Sequence, residues 1–446
     1  MKIVIAGAGE VGAHLAKMLS NENHDITVID PDEERLKRVD SSLDVLSISG
    51  SATSFQVLKD AQIHKTDLYI AVAHYEDTNI SSAILGKALG AKKTIARIDN
   101  QEYLQPQYRD HFINLGVDYL IYPEKIAARE ILGFLHQTGT TEFFDFSGGR
   151  LSLYVMRLDK DASILEKTLS EMTDTERQMN YRAVAITRNE KTIIPKGHDK
   201  FMLNDLVYVI SNQAGYLDLM KFSGKKQLDI KSIIILGGSR IGMRTAQELE
   251  KKYNVKLIEI DKSKCDYLAD KLEKTLVIHG DGRNIDLLME EGLPDTDAFI
   301  GVTGNSETNI LSCLLAKDLG VKKTIAEVEN MDYINLAEHI GVDSIINKKI
   351  TTAGRISRFT LSSNVSMIKC LTGTDAEVLE FVVPSKSKIT KKPLRQLEFP
   401  KHAIIGGVIR GTSSFIANGD TQIQDHDHVV VFALPAAFHK LDKFFN

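Results

Sequence analysis

The sequence predicts an α/β protein in which a doubly wound parallel sheet is present twice, and two observations support this prediction. Near the N-terminus an apolar strand pattern leads into the glycine cluster Gly7–Gly12, a helical pattern and a second apolar run that ends at Asp30. When the two halves of the chain are aligned, Gly237–Gly242 falls on that cluster, and 13 of the 21 positions of Thr78–Ile98 match Thr308–Val328. A repeat of this length, with a complete sheet in each unit, indicates two whole domains.

Each glycine of the first cluster has a physical reason to be there. Gly7 lets the chain turn sharply off the first strand, Gly9 has no side chain that would block a pyrophosphate, and Gly12 lets the following helix pack closely. Asp30 ends the second strand, where its carboxylate can accept hydrogen bonds from ribose hydroxyls and repels the 2′-phosphate of NADP. The pattern predicts a Rossmann-type dinucleotide-binding domain, with a structural copy that binds no nucleotide as the alternative.

Four further strands complete the first predicted sheet. Continuous apolar segments alternate with amphipathic helices, which is typical of a parallel sheet covered on both faces. Ligands bind at the carboxyl ends of such strands, so residues at those ends extend the predicted site. The predicted strands are Asp44–Gly50, Leu68–Val72, Thr94–Ile98 and Asp118–Ile121, and a helix covers Thr78–Leu89. The predicted cofactor-binding residues of the first copy are Gly7, Ala8, Gly9, Glu10, Val11, Gly12, Asp30, Ser51, Thr53, Ala73 and Arg97.

The second glycine cluster departs from the first at two positions. Ser239 replaces the middle glycine, and Arg240 stands where the first copy has Glu10. An arginine at a helix N-terminus can pair with phosphate oxygens, so the two sites are predicted to differ in ligand preference; the alternative is that Arg240 is a solvated surface charge. Glu259 and Asp261 both close the second strand, and Asp261 is the predicted ribose partner. The predicted cofactor-binding residues of this copy are Gly237, Gly238, Ser239, Arg240, Ile241, Gly242, Asp261, Asp281 and Thr303.

A small α+β unit follows each large domain, and the two small units also match each other. Ile194–Asp199 aligns with Ile416–Thr421, and in the same register Asn204–Val209 aligns with His426–Val431. Turn residues between short apolar runs are typical of hairpins. The polar stretch Ser223–Gln227 forms the seam between the two halves. The predicted domains are residues 1–136 and 226–365, which are the two large domains, and residues 137–225 and 366–446, which are the two small ones.

Two apolar helical connectors precede the small units. They are predicted at Ile126–His136 and at Ile350–Phe359. An amphipathic helix must bury its apolar face, but its pattern does not say against what. Each connector can therefore pack on its own domain or across a partner.

Residues that would carry catalysis are absent from the sequence pattern. It contains no nucleophile elbow, no zinc-protease motif and no P-loop, and a small hairpin-rich unit is not a typical substrate domain. His426 and His428 share a strand face and suggest a metal clip, but the repeat aligns this position with the turn at Asn204, so no metal site is predicted. Nucleotide binding without visible chemistry suggests a sensor.

The composition limits the cellular setting. A net charge of −5 without a basic block disfavours nucleic acid as a partner. The first strand begins directly after Met1 and no apolar run approaches the ~20 residues that span a bilayer, so a cytoplasmic location is expected. Cys265, Cys313 and Cys370 are isolated in sequence, and buried reduced thiols are expected.

The duplicated glycine cluster with its acid, followed each time by a small domain, resembles the peripheral regulatory subunits of Trk potassium-uptake systems. Gly7–Gly12 with Asp30 and Gly237–Gly242 with Asp261 carry the resemblance, together with Pro195-Lys196-Gly197 and Asn418-Gly419-Asp420 in the small units. It covers essentially the whole chain. These subunits are built from two RCK (regulator of potassium conductance, or KTN) modules, each with a large N-terminal and a small C-terminal domain.

The resemblance implies a function in ion transport. It implies a homotetrameric ring that docks on a membrane-spanning potassium transporter subunit of the TrkH or TrkG kind, peripheral on the cytoplasmic face. It implies NAD(H) as a ligand, with ATP or ADP as further ligands, especially at the second site. It also implies that the connectors at Ile126–His136 and Ile350–Phe359 are exchange surfaces between modules. An NAD-linked oxidoreductase and a regulator of a different cation transporter are the alternatives.

Overall fold

The described part of the chain forms two parallel and two antiparallel sheets. The computed structural model describes residues 1–20, 24–136, 140–172, 180–189, 191–224, 228–357, 359–360, 365–371, 374 and 376–445. Part of the predicted seam, residues 225–227, lies outside these described residues. Tertiary contacts divide the chain into two compact units, residues 1–126 with 348–363, and residues 127–347 with 364–446. Among the described helices none is long and apolar enough to cross a membrane.

The first parallel sheet begins at the N-terminus. Its strands are β1 (Lys2–Ala6), β2 (Asp25–Asp30), β3 (Leu46–Ser49), β4 (Leu68–Ala71), β5 (Lys93–Arg97) and β6 (Tyr119–Ile121). The helices are α1 (Glu10–Ser20), α2 (Glu33–Asp40), α3 (Phe55–Asp60), α4 (Glu76–Ala88), α5 (Pro106–Asn114) and α6 (Pro123–His136). The strand order β3-β2-β1-β4-β5-β6 reverses direction between β1 and β4. Ligands of doubly wound sheets bind at the carboxyl ends of the strands beside such a reversal.

The first small domain is built on an antiparallel sheet. Its strands are β7 (Glu142–Phe146), β8 (Leu151–Arg157), β9 (Tyr181–Arg188), β10 (Lys191–Ile193) and β11 (Leu206–Ser211), with helices α7 (Leu169–Met172) and α8 (Tyr216–Ser223). The strand order is β10-β9-β11-β8-β7. Alternate residues of the central strands are buried in two different apolar clusters, so both faces of this sheet are covered.

The second parallel sheet repeats the first. Its strands are β12 (Ser232–Leu236), β13 (Asn254–Glu259), β14 (Leu276–His279), β15 (Ala298–Gly301), β16 (Lys323–Glu327) and β17 (Ser344–Ile346). Its helices are α9 (Arg240–Leu249), α10 (Lys262–Lys271), α11 (Ile285–Glu290), α12 (Ser306–Asp318), α13 (Asp332–Ile340) and α14 (Lys348–Ser357). The order β14-β13-β12-β15-β16-β17 matches that of the first sheet strand for strand. The predicted duplication of a doubly wound sheet is therefore confirmed.

The second small domain repeats the topology of the first. Its elements are β18 (Val365–Cys370), β19 (Glu377–Val382), β20 (Ala403–Arg410), β21 (Ser413–Ile416), β22 (His428–Ala433) and α15 (Phe438–Phe445), and the strand order is β18-β19-β22-β20-β21. In the first small domain Arg188 donates two hydrogen bonds of 2.7 Å to the buried carboxylate of Asp205. Arg410 donates the equivalent bonds, 2.8 and 2.7 Å long, to Asp427. These equivalent ion pairs confirm the predicted alignment of the two small units.

The two connector helices are exchanged between the parallel sheets. From Ala127 onward α6 belongs to the second compact unit, where Ile131 and Phe134 are buried against the second sheet. Helix α14 belongs to the first compact unit, where Ala353 and Ile356 are buried against α1 and the first sheet. Each parallel sheet is therefore covered by the helix that follows the other sheet in the chain.

Candidate nucleotide sites

The first glycine turn is shaped by close backbone contacts. Gly7 has φ +113°, and a Cβ atom built on it would lie 2.7 Å from the amide nitrogen of Ala73 at the end of β4. A Cβ atom on Gly12 would lie 1.8 Å from the carbonyl oxygen of Gly7. By contrast, no atom lies within 4 Å of a Cβ atom built on Gly9. Gly7 and Gly12 are thus required by the turn itself, whereas Gly9 leaves open space in front of it.

Asp30 holds this turn from the end of β2. Its carboxylate is buried and accepts a hydrogen bond of 2.6 Å from the amide of Ala8 and one of 2.9 Å from the amide of Asp32. Asp32 in turn caps α2 with its side chain. A carboxylate fixed beside the glycine turn has the position from which an acid binds the ribose hydroxyls of a dinucleotide.

The amides at the start of α1 form the third part of the first site. Among the hydrogen bonds of the described residues, no acceptor is found for the amide of Gly12. Unsatisfied amides at a helix N-terminus attract anions, and the helix dipole adds to this attraction. The open space at Gly9 lies in the same turn, so a phosphate group can reach these amides.

The outer rim of the first site is held by a residue that the sequence pattern did not single out. Asn79 on α4 is buried, accepts a hydrogen bond of 2.7 Å from the amide of Ala73, and donates bonds of 3.0 Å to the carbonyls of Ala73 and Arg97. It thereby ties the ends of β4 and β5 together. Its equivalent, Asn309, makes the same contacts with Thr303 and Glu327. Both asparagines lie at equivalent positions of the matching repeat segments Thr78–Ile98 and Thr308–Val328, so the repeat could have pointed to them.

The remaining predicted residues of the first site lie at the carboxyl ends of β3 and β5. Ser51 and Thr53 follow β3, and their hydroxyl oxygens are 2.8 Å apart. Arg97 ends β5, with its guanidinium 3.4 Å from Asp99 and 3.9 Å from the buried carboxylate of Glu124. All predicted residues of the first copy are therefore found in the glycine turn or at strand ends on the same edge of the sheet.

The second glycine turn has the backbone conformation of the first, but a side chain caps one of its amides. Gly237 has φ +107°, and a Cβ atom on Gly242 would lie 2.0 Å from the carbonyl oxygen of Gly237. The hydroxyl of Ser239 accepts a hydrogen bond of 3.2 Å from the amide of Gly242 and donates one of 2.7 Å to the carbonyl of Val302. Ser239 is thus the N-cap of α9. It satisfies the amide of Gly242, whereas no acceptor is found for the equivalent amide of Gly12 among the described hydrogen bonds of the first copy.

The acid of the second copy is Glu259. Strand pairing places Glu259 where β2 has Asp30, because Leu236 pairs with Ile258 as Ala6 pairs with Ile29. The Glu259 carboxylate accepts hydrogen bonds from the amides of Gly238, 2.7 Å, and Asp261, 2.9 Å. The predicted ribose partner Asp261 instead caps α10, accepting bonds from the amides at positions 263 and 264. Its structural equivalent is therefore Asp32, which caps α2.

A size change accompanies the change from aspartate to glutamate. A Cβ atom built on Gly238 would lie 2.9 Å from a carboxylate oxygen of Glu259, whereas the first copy accommodates the methyl group of Ala8 beside the shorter Asp30. A Cβ atom there would lie closer still, 2.4 Å, to a methyl carbon of Leu268, so the side chains of Leu268 and Glu259 together fill the space of the missing methyl group. Both copies keep the same hydrogen bond from the turn to the acid.

The rim of the second site carries a local ion pair. Arg283 and Asp281 form a two-pronged pair with hydrogen bonds of 2.9 and 2.7 Å, and these bonds lower the pKa of Asp281 below its usual value. The hydroxyl of Thr303 donates to Asn309 at 2.6 Å. Gly238, Arg240 and Ile241 complete the turn. The predicted residues of the second copy are thus assembled at one sheet edge, with Asp261 at the start of α10 and not at the position expected for it.

Other polar residues of interest have structural partners. His428 lies 2.6 Å from the buried carboxylate of Glu380, and Asp427 pairs with Arg410, so the side chains of this motif point to different partners. No group of three or more potential metal ligands is found among the described residues. Cys265 and Cys313 are free and buried, and burial raises the pKa of Cys313 to about 12; the side chain of Cys370 lies outside the described part.

Two parallel sheets with glycine turns at their reversal points, each with a small antiparallel domain, define a tandem Rossmann-type protein of the RCK class. The family model described as the TrkA-N domain matches residues 3–123 and 233–348, and the TrkA-C domain model matches residues 378–446. The chain belongs to the TrkA family.

Curated relatives match along the whole chain. A Trk system potassium uptake protein TrkA homolog of Archaeoglobus fulgidus is 34% identical, and TrkA homolog 1 of Methanosarcina mazei is 33% identical; each alignment covers 100% of both chains. TrkA of Haemophilus influenzae is 31% identical over 97% of this chain and 95% of its own. Among solved structures, the GsuK RCK domain covers 100% of this chain and 94% of its own with a TM-score of 0.62 at 16% identity. This last likeness shows the shared fold.

Proposed function

We propose that this chain is the regulatory subunit of a Trk-type potassium transport system. The observation that carries the proposal is the match to relatives named Trk system potassium uptake protein over their full length, at up to 34% identity. In this function the chain acts at the cytoplasmic face of the membrane, bound to a potassium-transporting subunit of the TrkH or TrkG kind. In this function it catalyses no reaction of its own, in keeping with relatives that are named as potassium uptake proteins.

Nucleotides are the proposed regulatory ligands. In the first site NAD(H) binds with its pyrophosphate at Gly7–Gly12 and its ribose on Asp30, with Ser51, Thr53, Ala73 and Arg97 at the rim. In the second site Gly237–Gly242, Glu259, Asp281 and Thr303 hold ATP or ADP, and Arg240 pairs with a phosphate. The support is the geometry of the two turns, and solved structures of GsuK, which has the same fold, are described as bound to NAD and to ADP.

The capped amide of Gly242 is the reason to expect unequal ligands. Because Ser239 already satisfies that amide, the second turn offers fewer free donors to a pyrophosphate than the first. A ligand there depends more on side-chain cations such as Arg240. A nucleotide with more phosphate charge and no second nucleoside fits this arrangement better than NAD(H).

Regulation follows from differential affinity. We infer that four chains assemble into a ring, with each chain divided at the predicted boundaries into domains 1–136, 137–225, 226–365 and 366–446. A ligand that binds one geometry of the ring more tightly shifts the population toward it by that difference in affinity. The transporter subunit attached to the ring then conducts more or less potassium.

Nucleotide titration of the full chain tests the site assignment. We expect Asp30→Ala to weaken NADH binding by about tenfold or more, because it removes the ribose acceptor and frees the amide of Ala8. Glu259→Ala is expected to weaken ADP binding at the second site in the same way, while Asp261→Ala, which removes only a helix cap, leaves both affinities near those of the wild type. NADH fluorescence and calorimetry measure the affinities.

The outcome that contradicts this assignment is equal nucleotide binding by the wild type, Asp30→Ala and Glu259→Ala. A substrate-dependent loss of NADH absorbance would instead indicate an oxidoreductase. Potassium flux in vesicles that contain the transporter subunit, measured with and without this chain, tests the regulatory function itself.

A further inference from the structure

A lysine from the exchanged helix α14 lies at the first glycine turn. The ammonium of Lys349 is 3.0 Å from a carboxylate oxygen of Glu10, the first residue of α1. The Lys349 side chain is only 12% exposed, whereas that of Glu10 is 65% exposed. The cation is thus held by the protein, while the carboxylate in front of it is open to solvent.

The packing of α14 explains why Lys349 is fixed in this place. Ala353 and Ile356 follow it at helical spacing, so all three residues lie on one side of the helix. Ala353 and Ile356 are fully buried in the cluster that contains Leu15 of α1. The apolar contact between the two helices therefore sets the position of the ammonium beside the start of α1.

The charges around the first turn leave a role for this cation. A bound pyrophosphate brings two negative charges to the start of α1, where Glu10 adds a third. The second copy has a cation of its own at the position of Glu10, Arg240, but the first turn of α1 has none. Lys349 supplies that charge from another part of the chain. Its field reaches one turn further along α1, where burial first, and then Lys17 and Lys349, lower the pKa of His14.

We propose that Lys349 is a phosphate-binding residue of the first nucleotide site, contributed by the helix that follows the second sheet. In the absence of ligand its ammonium pairs with Glu10. When a nucleotide binds, the phosphate replaces Glu10 as the partner of Lys349, and the exposed carboxylate turns to solvent. The proposal rests on the proposed function, because it assigns a further contact in the same site.

The test compares variants of the full chain by titration with NADH, ADP and ATP. We expect Lys349→Met, which keeps the packed side-chain stem but removes the charge, to weaken binding at the first site by about tenfold. Lys349→Arg restores a cation and is expected to recover most of the affinity. Glu10→Gln removes the competing carboxylate and is expected to strengthen binding. Lys17→Met, an equal charge change at the exposed far end of α1, is the matched control and is expected to leave the affinity unchanged.

Three results would overturn the proposal. If Lys349→Met binds as tightly as Lys17→Met, the lysine makes no contact with the phosphate. If Lys349→Met and Glu10→Gln both weaken binding, their ion pair serves only to hold α14 in place. If the wild type binds none of the three nucleotides, the proposed function fails together with this proposal, whereas binding that is lost in Asp30→Ala but kept in Lys349→Met overturns this proposal alone. Thermal melting of each variant verifies that it is folded.

Discussion

Single glycines of the fingerprint perform separable tasks. The space around a Cβ atom at Gly9 is open, while at Gly12 the same atom would overlap the carbonyl oxygen of Gly7. Gly9 therefore serves the ligand, and Gly12 serves the fold. The sequence motif predicts the roles of both but gives no measure of how close each contact is.

Two alanine substitutions distinguish these tasks. We expect Gly9→Ala to keep the melting temperature of the wild type but to weaken NADH binding, because its methyl group fills the space in front of the turn. Gly12→Ala is expected to lower the melting temperature by several degrees and to weaken binding as well, since the turn has to shift. Calorimetric melting and NADH titration measure the two effects. A Gly9→Ala variant with unchanged NADH affinity would mean that no phosphate approaches this turn.

The identity of the acid in the second copy could not be predicted from sequence alone. The segment between Gly242 and β13 is shorter, by a single residue, than the segment between Gly12 and β2. An alignment that matches the glycine turns therefore places Ile260 opposite Asp30, between the two acids of the second copy. Only the strand register distinguishes Glu259, which contacts the turn, from Asp261, which caps a helix.

At the scale of elements, the sequence pattern predicts the two connector helices but not the surfaces on which they pack. The apolar periodicity predicted that α6 and α14 are helices with a buried face, and both helices are confirmed. The choice of surface was open because an apolar stripe is equally satisfied by any apolar partner. The exchange became visible only from the contacts of Ile131 and Ile356, and it agrees with the exchange surfaces that the family resemblance implied.

A matched pair of substitutions tests the exchange. Ile131 on α6 and Ile356 on α14 are both fully buried. We expect each alanine variant to lose about 2–5 kcal/mol of stability, but in different places. Hydrogen exchange should accelerate in β12 and β15 for Ile131→Ala, and in β1 and β4 for Ile356→Ala. The opposite pattern, with each variant loosening the sheet nearest to it in sequence, would contradict the exchange.

At the scale of the whole molecule, the single chain exposes apolar residues on equivalent helices of its two halves. Ile113 on α5 and Leu336 and Ile340 on α13 are among its exposed large hydrophobic side chains. Exposed apolar surface on a folded chain favours association. In the proposed ring, contacts between chains would cover such side chains.

Light scattering coupled to size exclusion checks this assembly. We expect a mass of four times 49.6 kDa for the purified chain, and we expect Leu336→Asp to reduce it by placing a charge on the apolar surface. Lys17→Asp, a charged substitution on an exposed face of α1, is the control and should keep the tetramer. A mass of one chain at all concentrations, with and without nucleotide, would exclude the ring.

The order of large and small domains was predictable, but the compact units were not. Repeats in the sequence reveal four segments in the order large, small, large, small, and the sheets follow that order. Contacts instead group residues 348–363 with residues 1–126, and residues 127–347 with residues 364–446. Sequence similarity shows which segments of the chain are duplicated. The compact units depend instead on which apolar faces pack against each other.

The exchange of α14 also constrains how the protein is made. The first sheet is synthesised early, but the apolar cluster that contains Leu15 of α1 stays incomplete until Ala353 and Ile356 leave the ribosome. A long stretch of chain, which includes the whole second sheet, separates β6 from α14. At about 5–20 residues per second, synthesis of these roughly 230 residues takes roughly 10–50 seconds. During that time the nascent chain presents an apolar surface that α14 has yet to cover. A chaperone or a second nascent chain would compete with α14 for this surface.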